Sequence, residues 1–407
     1  MGKSFKIIKE QGFGEFLRHK KRRLSRNLFL YFGGFYPKLP QNYKFLFISF
    51  GVSGNAALIT FLNLCGLKEV RLAQDNETEY YSKSREILKS STSKNFISIF
   101  FYRNKKRFKT ARLLSYDVPI LIVLRDPISR FRSMMNYQYL VLNHMGGGGV
   151  IRLKDDLNAI LNAILYGDTA KLTKASQLSY VEDLLSKGSF KFKTDLAPFL
   201  AKDGKSRQVI YIDMQELMPD KAFKTMQKLS SILNFNPPKE EDREKIERKV
   251  ANDYFFLPRF TFFIDDKDFS WLKEEIKIII SKVILPNHKE SKSLFLDEND
   301  LCYKELSINL EEKHYELIKE DKEIKERLKS YFKEFVKVLD EKVRFRKDNA
   351  LNENDMLEFF KNNANLALQF KALLDSELTH IKQTRPDIIA SWKYYQEFEK
   401  ICEGLKN

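Results

Sequence analysis

The chain has 407 residues, enough for one large domain or two ordinary ones, and 43% of them are apolar, which excludes global disorder and provides for a sizeable core. The formal net charge of +16 points to a surface that attracts anions, whether phosphorylated ligands, anionic lipid or nucleic acid. Three widely separated cysteines, Cys65, Cys302 and Cys402, argue against a disulfide framework and a cysteine metal site, and for a reducing compartment.

No run approaches the roughly 18 apolar residues of a membrane span. The start of the chain lacks the basic head and long apolar stretch of a signal peptide, so a cytoplasmic location is expected. Residues 16–40, "FLRHKKRRLSRNLFLYFGGFYPKLP", place a cationic cluster before a run of aromatic and aliphatic residues. That order suits peripheral contact with an anionic membrane face, or an N-terminal helix packed on the domain. Nucleic acid is not expected as a partner, because no recognised binding motif accompanies the charge.

Residues 42–49, "NYKFLFIS", read as a strand, and a glycine-punctuated turn follows at 51–54. Residues 56–64 read as a helix ended by Gly66. Further strands are expected at 96–102, 118–124 and 208–212, with helices from Pro127 to about 142 and over about 219–233. Continuous apolar runs interleaved with helices predict an α/β fold: a central parallel sheet with helices on both faces. "MGGGG" at 145–149 reads as a hinge or loop, and "NPPKEEDREK" from 236 marks a boundary. Beyond it, Leu317, Ile318, Ile324, Leu328, Tyr331, Phe332, Phe335, Val336 and Leu339 keep three-to-four spacing, which predicts a long amphipathic helix. Two more helices are expected over 356–374 and 388–401. The division expected is a basic and aromatic arm over 1–41, an α/β domain over 42–236 and a helical region over 237–407.

Two motifs carry chemistry. In "ILIVLRDPISRFRS", residues 120–133, a buried strand ends at Arg125, Asp126 suits a helix N-cap and Pro127 the first helical position. A helix N-terminus beside an arginine fork is a natural anion site. Arg130 and Ser133 share one helix face, and the Ser133 hydroxyl can donate to the same anion. The alternative is an Arg125 paired with a carboxylate. In "FISFGVSGNAAL", residues 47–58, a strand, a tight turn and a helix can form a phosphate cradle of backbone N–H groups. It is not a Walker motif, since Asn55 stands where the lysine would be.

Together these pieces resemble the sulfotransferase family. Its donor loop, of Ser-Gly-Thr-Thr type, is matched by Ser53, Gly54, Asn55 and Ala56 after Gly51 and Val52. Its arginine and serine that hold the donor's 3′-phosphate are matched by Arg125 and Ser133, in the pattern R-D-P-x-x-R-x-x-S. The strand and helix within residues 207–235 look like the family's later acidic-ended element. The resemblance covers about residues 43–236. It implies a sulfotransferase-like P-loop fold, with 3′-phosphoadenosine 5′-phosphosulfate or another phosphorylated nucleotide as donor and no metal. The family's basic residue before the loop serine is Val52 here, and the strand over 96–102 lacks the histidine many members carry.

The overall pattern also resembles transferase-like proteins of bacterial surface-polysaccharide loci, which implies a saccharide hydroxyl as acceptor. Alternatives on the same fold are transfer of a glycosyl or phosphoryl-derived group, and a non-catalytic nucleotide- or glycan-binding module. Transfer of a charged group needs cations and a base. Arg103, Lys105 and Lys106 follow the 96–102 strand and can supply the cation, unless they belong to a solvated loop. His144 is the candidate base on a mobile loop, unless it is a surface histidine.

Overall fold

The computed structural model describes residues 37–72, 77–90, 94–100, 113–114, 117–137, 149–166, 173–186, 190–202, 205–250, 253–254 and 257–405. The chain divides into two compact units. One holds Met1–Phe131, Glu182–Val250 and Met356–Asn407, and the other holds Arg132–Val181 and Ala251–Asp355.

The first unit is built on a five-stranded parallel sheet, in the order Lys68–Leu72, Asn95–Phe100, Leu46–Ser49, Ile120–Leu124, Val209–Asp213. The two central strands, "LFIS" and "ILIVL", are buried at every residue, as expected of strands covered on both faces. On one face Phe45, Phe47, Phe96, Leu121 and Val123 pack against Leu58, Phe61 and Leu62 of helix Asn55–Leu64 and against Phe223, Met226 and Leu229 of helix Pro219–Leu233. The other face carries helix Phe192–Leu200 and the C-terminal helices. There Phe131 meets Phe190, Phe360 and Phe370, with ring centroids 5.2, 5.8 and 5.3 Å away. Each fully buried phenylalanine contributes on the order of 1.5–3 kcal/mol.

The helix ends follow their residues. Asn55–Leu64 stops at Gly66, whose φ of +80° is the left-handed conformation a helix C-terminus favours. Gly66 N–H donates to Asn63 O at 2.9 Å and Leu67 N–H to Leu62 O at 3.0 Å, which satisfies the last carbonyls. Pro219 opens the 219–233 helix and Asn234, at φ +53°, closes it.

The second unit has its own five-stranded sheet, in the order Lys289–Glu290, Ser307–Leu310, Ile276–Ser281, Phe260–Ile264, Gly149–Arg152. The pairs are antiparallel except the last, which is parallel. Its core sets Phe260, Phe262 and Phe295 against Phe332 and Phe335 of helix Lys322–Asp348.

Several expectations need correcting. The helical C-terminal region begins at Glu312, because residues 260–310 supply four strands. The units do not part near residue 237, since the helices from Met356 onward belong to the unit of the parallel sheet. The expected long helix is two, Glu312–Glu320 and Lys322–Asp348, because Asp321 accepts from Ile324 N–H at 2.9 Å and starts a new helix. The helices expected over 356–374 and 388–401 are likewise each divided, at Asn363 and at Trp392. The edge strand Lys68–Leu72, alternating polar and buried, was not anticipated from the sequence. Of the expected basic arm, residues 1–36 lie outside the described residues. No helix among the described residues is long and apolar enough to cross a membrane.

Candidate functional site

Leu46–Ser49 lies at the centre of the parallel sheet. The chain leaves it toward one edge, through Asn95–Phe100 and Lys68–Leu72, and later returns to build the other edge through Ile120–Leu124 and Val209–Asp213. The crossovers after Leu46–Ser49 and Ile120–Leu124 therefore diverge. The crevice outside their carboxyl ends is where open α/β sheets bind ligands. Gly51, Val52, Ser53 and Gly54 follow the first strand and Arg125 and Asp126 follow the second, so the two sequence motifs meet at this crevice.

The turn is held by side chains that cover its carbonyl oxygens. The buried Ser53 hydroxyl donates to Phe50 O at 3.1 Å and to Gly51 O at 3.3 Å. Arg130 Nε donates to the same two oxygens at 3.1 and 3.3 Å. Arg125 Nη1 donates to Val52 O at 2.8 Å. In a trans peptide each N–H points opposite to the preceding carbonyl. The N–H groups of Gly51, Val52 and Ser53 are thereby turned away from the arginines and the serine. Val52 sits at φ +53°, unusual for a β-branched residue, and Gly54 at φ +80°. The Val52 conformation costs on the order of 1–3 kcal/mol. Glycine is favoured at position 54, because its φ is left-handed and a Cβ there would stand 3.2 Å from Met214 Cγ, close enough that the methionine side chain would have to shift. The first helical hydrogen bond runs from Leu58 N–H to Gly54 O, so the N–H groups of Asn55, Ala56 and Ala57 precede the helical ladder.

Arg130 is 3% exposed and lies 4.6 Å from the ring of Phe190 and 4.9 Å from that of Phe192. Burial, then the charge of Arg125, pulls its guanidinium down to about 9, with Asp195 opposing. It remains a cation at neutral pH. Two polar atoms near the turn, Asn55 Oδ1 and Ser49 Oγ, are buried and take no hydrogen bond from the described residues.

Two carboxylates bound the other side. Asp126 Oδ1 accepts from Ile128 N–H at 2.8 Å and Ser129 N–H at 3.3 Å, capping helix Pro127–Tyr137. Its Oδ2 accepts from Tyr394 and Tyr395 N–H at 3.0 and 3.1 Å, at the start of helix Lys393–Gly404. Asp213 Oδ1 accepts from Gln215 N–H at 2.7 Å, and its Oδ2 from the Trp392 indole at 2.5 Å. Burial pushes both carboxyl groups above the usual aspartate range, and these donors pull the other way. Residues 392–395 are thus fastened to the carboxyl ends of two neighbouring strands.

Behind Phe50 and Leu124, the Tyr211 hydroxyl and His380 Nδ1 share a hydrogen bond of 2.8 Å. Burial raises the Tyr211 pKa. The cavity there, about 20 Å3, is close to the size of one water and too small for a ligand.

Of the residues singled out in the sequence, Gly51, Val52, Ser53, Gly54, Asn55, Ala56 and Arg125 come together. Ser133 is half-buried, two turns into helix Pro127–Tyr137. Arg103, Lys105, Lys106 and His144 lie outside the described residues. The bracing role of Arg130 and the ties from Asp126 and Asp213 to residues 392–395 were not foreseen. The signal for the first was present, since Arg130 lies on the same helix, but nothing local links residue 126 to residue 394.

Residues 211–405 match the family model described as "Protein of unknown function (DUF2972)". The match includes Asp213, His380, Arg385 and Trp392 and excludes the turn at 51–56 and Arg125. No curated protein and no solved structure matches the chain.

Proposed function

We propose that the chain is a group transferase with a sulfotransferase-like P-loop fold, which binds a phosphorylated nucleotide donor at residues 51–56 with Arg125 and Ser133. The observation that carries this is the turn itself. Its carbonyl oxygens, which would repel an anion, are covered by Ser53, Arg130 and Arg125. Successive N–H groups and a helix N-terminus are left for a phosphate. The donor that resemblance supports is 3′-phosphoadenosine 5′-phosphosulfate.

In the reaction, the transferred group passes from the donor's phosphate oxygen to a saccharide hydroxyl of a surface polysaccharide. The hydroxyl's proton passes to a base, and the departing oxygen needs a cation. Arg103, Lys105 and Lys106 for the cation, and His144 for the base, are the residues we assign from the sequence. Transfer of a glycosyl or phosphoryl-derived group would use the same cradle. One observation favours a second reading, a nucleotide- or glycan-binding module without turnover: Val52 brings no cation to the turn.

Calorimetry with adenosine 3′,5′-bisphosphate tests the proposal. The native chain should bind it. Gly54→Ala, which strains the turn and crowds Met214, should weaken binding at least tenfold, and Arg125→Ala by a similar factor through the loss of a charged hydrogen-bond donor. Absence of binding by the native chain would remove the donor assignment.

A further inference from the structure

The parallel sheet ends in an open edge. Among the described residues, Val209–Asp213 pairs on one side only, with Ile120–Leu124. In a parallel ladder a residue points its N–H and C=O to the same side, and successive residues alternate. Ile120 N–H donates to Gln208 O at 2.8 Å. Gln208, Ile210 and Ile212 therefore face the ladder, and Val209, Tyr211 and Asp213 face outward. Two outward groups are already covered. Arg385 Nη1 donates to Tyr211 O, and Asp213 N–H donates to Glu216 Oε1 at 2.9 Å. The N–H and C=O of Val209 and the N–H of Tyr211 are left open among the described residues.

This edge floors a groove of about 230 Å3. One wall is Thr225, Lys228, Leu229 and Ile232, at helical spacing on Pro219–Leu233, and the facing rim is Thr384 and Arg385. Ile232 is 42% exposed and offers an apolar contact. Lys221, Lys224 and Lys228 form an exposed stripe along that helix, and none of them makes an ion pair among the described residues. The one acidic side chain lining the groove, Glu216, is occupied by Arg385 and by Asp213 N–H. Arg385 is itself shared with Asp387 at 2.8 Å, so the lining cation that has no carboxylate partner among the described residues is Lys228.

We infer that the groove takes an extended acidic peptide segment, which adds a sixth strand to the sheet. Its main chain would exchange hydrogen bonds with Val209 and Tyr211, and its alternate acidic side chains would face Lys228. Strand addition of this kind draws affinity from the backbone and selectivity from alternate side chains. Edge strands are usually blunted against such pairing. Here Arg385 and Glu216 blunt the end nearest Asp213 and leave the Val209 end open.

The test uses the full chain and a fluorescein-labelled peptide of alternating glutamate and valine, followed by anisotropy. The native chain should bind it, and added salt should weaken binding by screening Lys228. Val209→Pro removes an outward N–H without touching the ladder to Ile120–Leu124, and should weaken binding by roughly tenfold or more. Lys228→Glu should weaken it at low salt and have little effect at high salt. The same peptide N-methylated on every amide, which removes the donors from both of its edges, covers with the native chain the case in which Val209→Pro fails to fold, and should not bind. Absence of binding by the native chain, or equal binding of the methylated peptide, overturns the inference. Self-association abolished by Val209→Pro would make a second copy the occupant and overturn the choice of an acidic peptide.

Discussion

Asp126 shows how much one carboxylate can organise. Each oxygen accepts two backbone N–H groups, one pair from helix Pro127–Tyr137 and one from the start of Lys393–Gly404. Asparagine offers a single oxygen, so Asp126→Asn would turn an NH2 group toward two donors. A loss of about 1–3 kcal/mol is expected, measurable by chemical denaturation at neutral pH. The pH dependence has a definite sign. Burial raises the folded-state pKa of Asp126 above its unfolded value, so the ionised form is disfavoured by folding at neutral pH and that penalty is relieved as pH falls through the folded pKa. The asparagine variant has no such titration, so the gap between native chain and variant should widen as pH falls through the folded pKa of Asp126. A gap that narrows in acid would contradict this account. The N-cap role of Asp126 was legible from "RDP". Its second role was not, because the partner is 268 residues away in sequence. Arg125 was read as a phosphate fork or a partner for a carboxylate, and its hydrogen bond to Val52 O adds a bracing role that depends on the turn's conformation.

At the scale of elements, the legible strands were those buried on both faces. "ILIVL" has no polar residue to confuse its reading, whereas "KEVRL" lies at a sheet edge and alternates exposed with buried positions. The strands over 260–310 were lost for another reason. A strong three-to-four periodicity follows them and dominates the pattern of the C-terminal third, although "FTFFI" and "IKIIIS" carry the β-branched and aromatic residues of strands. The signal for the helix division was present, since the apolar period skips a step from Ile318 to Ile324 and Asp321 stands in the gap. Asp321→Ala should cost about 0.5–2 kcal/mol by removing the cap on Ile324 N–H. Denaturant titration with an unchanged midpoint would show that the second helix needs no cap.

At the scale of the whole molecule, the first unit is assembled from three separated stretches of chain. Its final stretch fills the aromatic face around Phe131 and supplies the donors to Asp126 and Asp213. A chain ending at residue 355 would leave buried carboxylates unsatisfied and Phe131 and Phe190 uncovered. The account predicts loss of cooperative thermal unfolding in the first unit, and a shortened chain that melts as the full one does would contradict it. The central claim, that the turn after Leu46–Ser49 is an anion cradle, is tested most directly by a crystal structure with adenosine 3′,5′-bisphosphate. The account predicts a phosphate within hydrogen-bond distance, about 2.7–3.2 Å, of backbone N–H groups in the turn and the first turn of helix Asn55–Leu64. A bisphosphate bound elsewhere, with the N–H groups of Gly51, Val52 and Ser53 untouched, would contradict it.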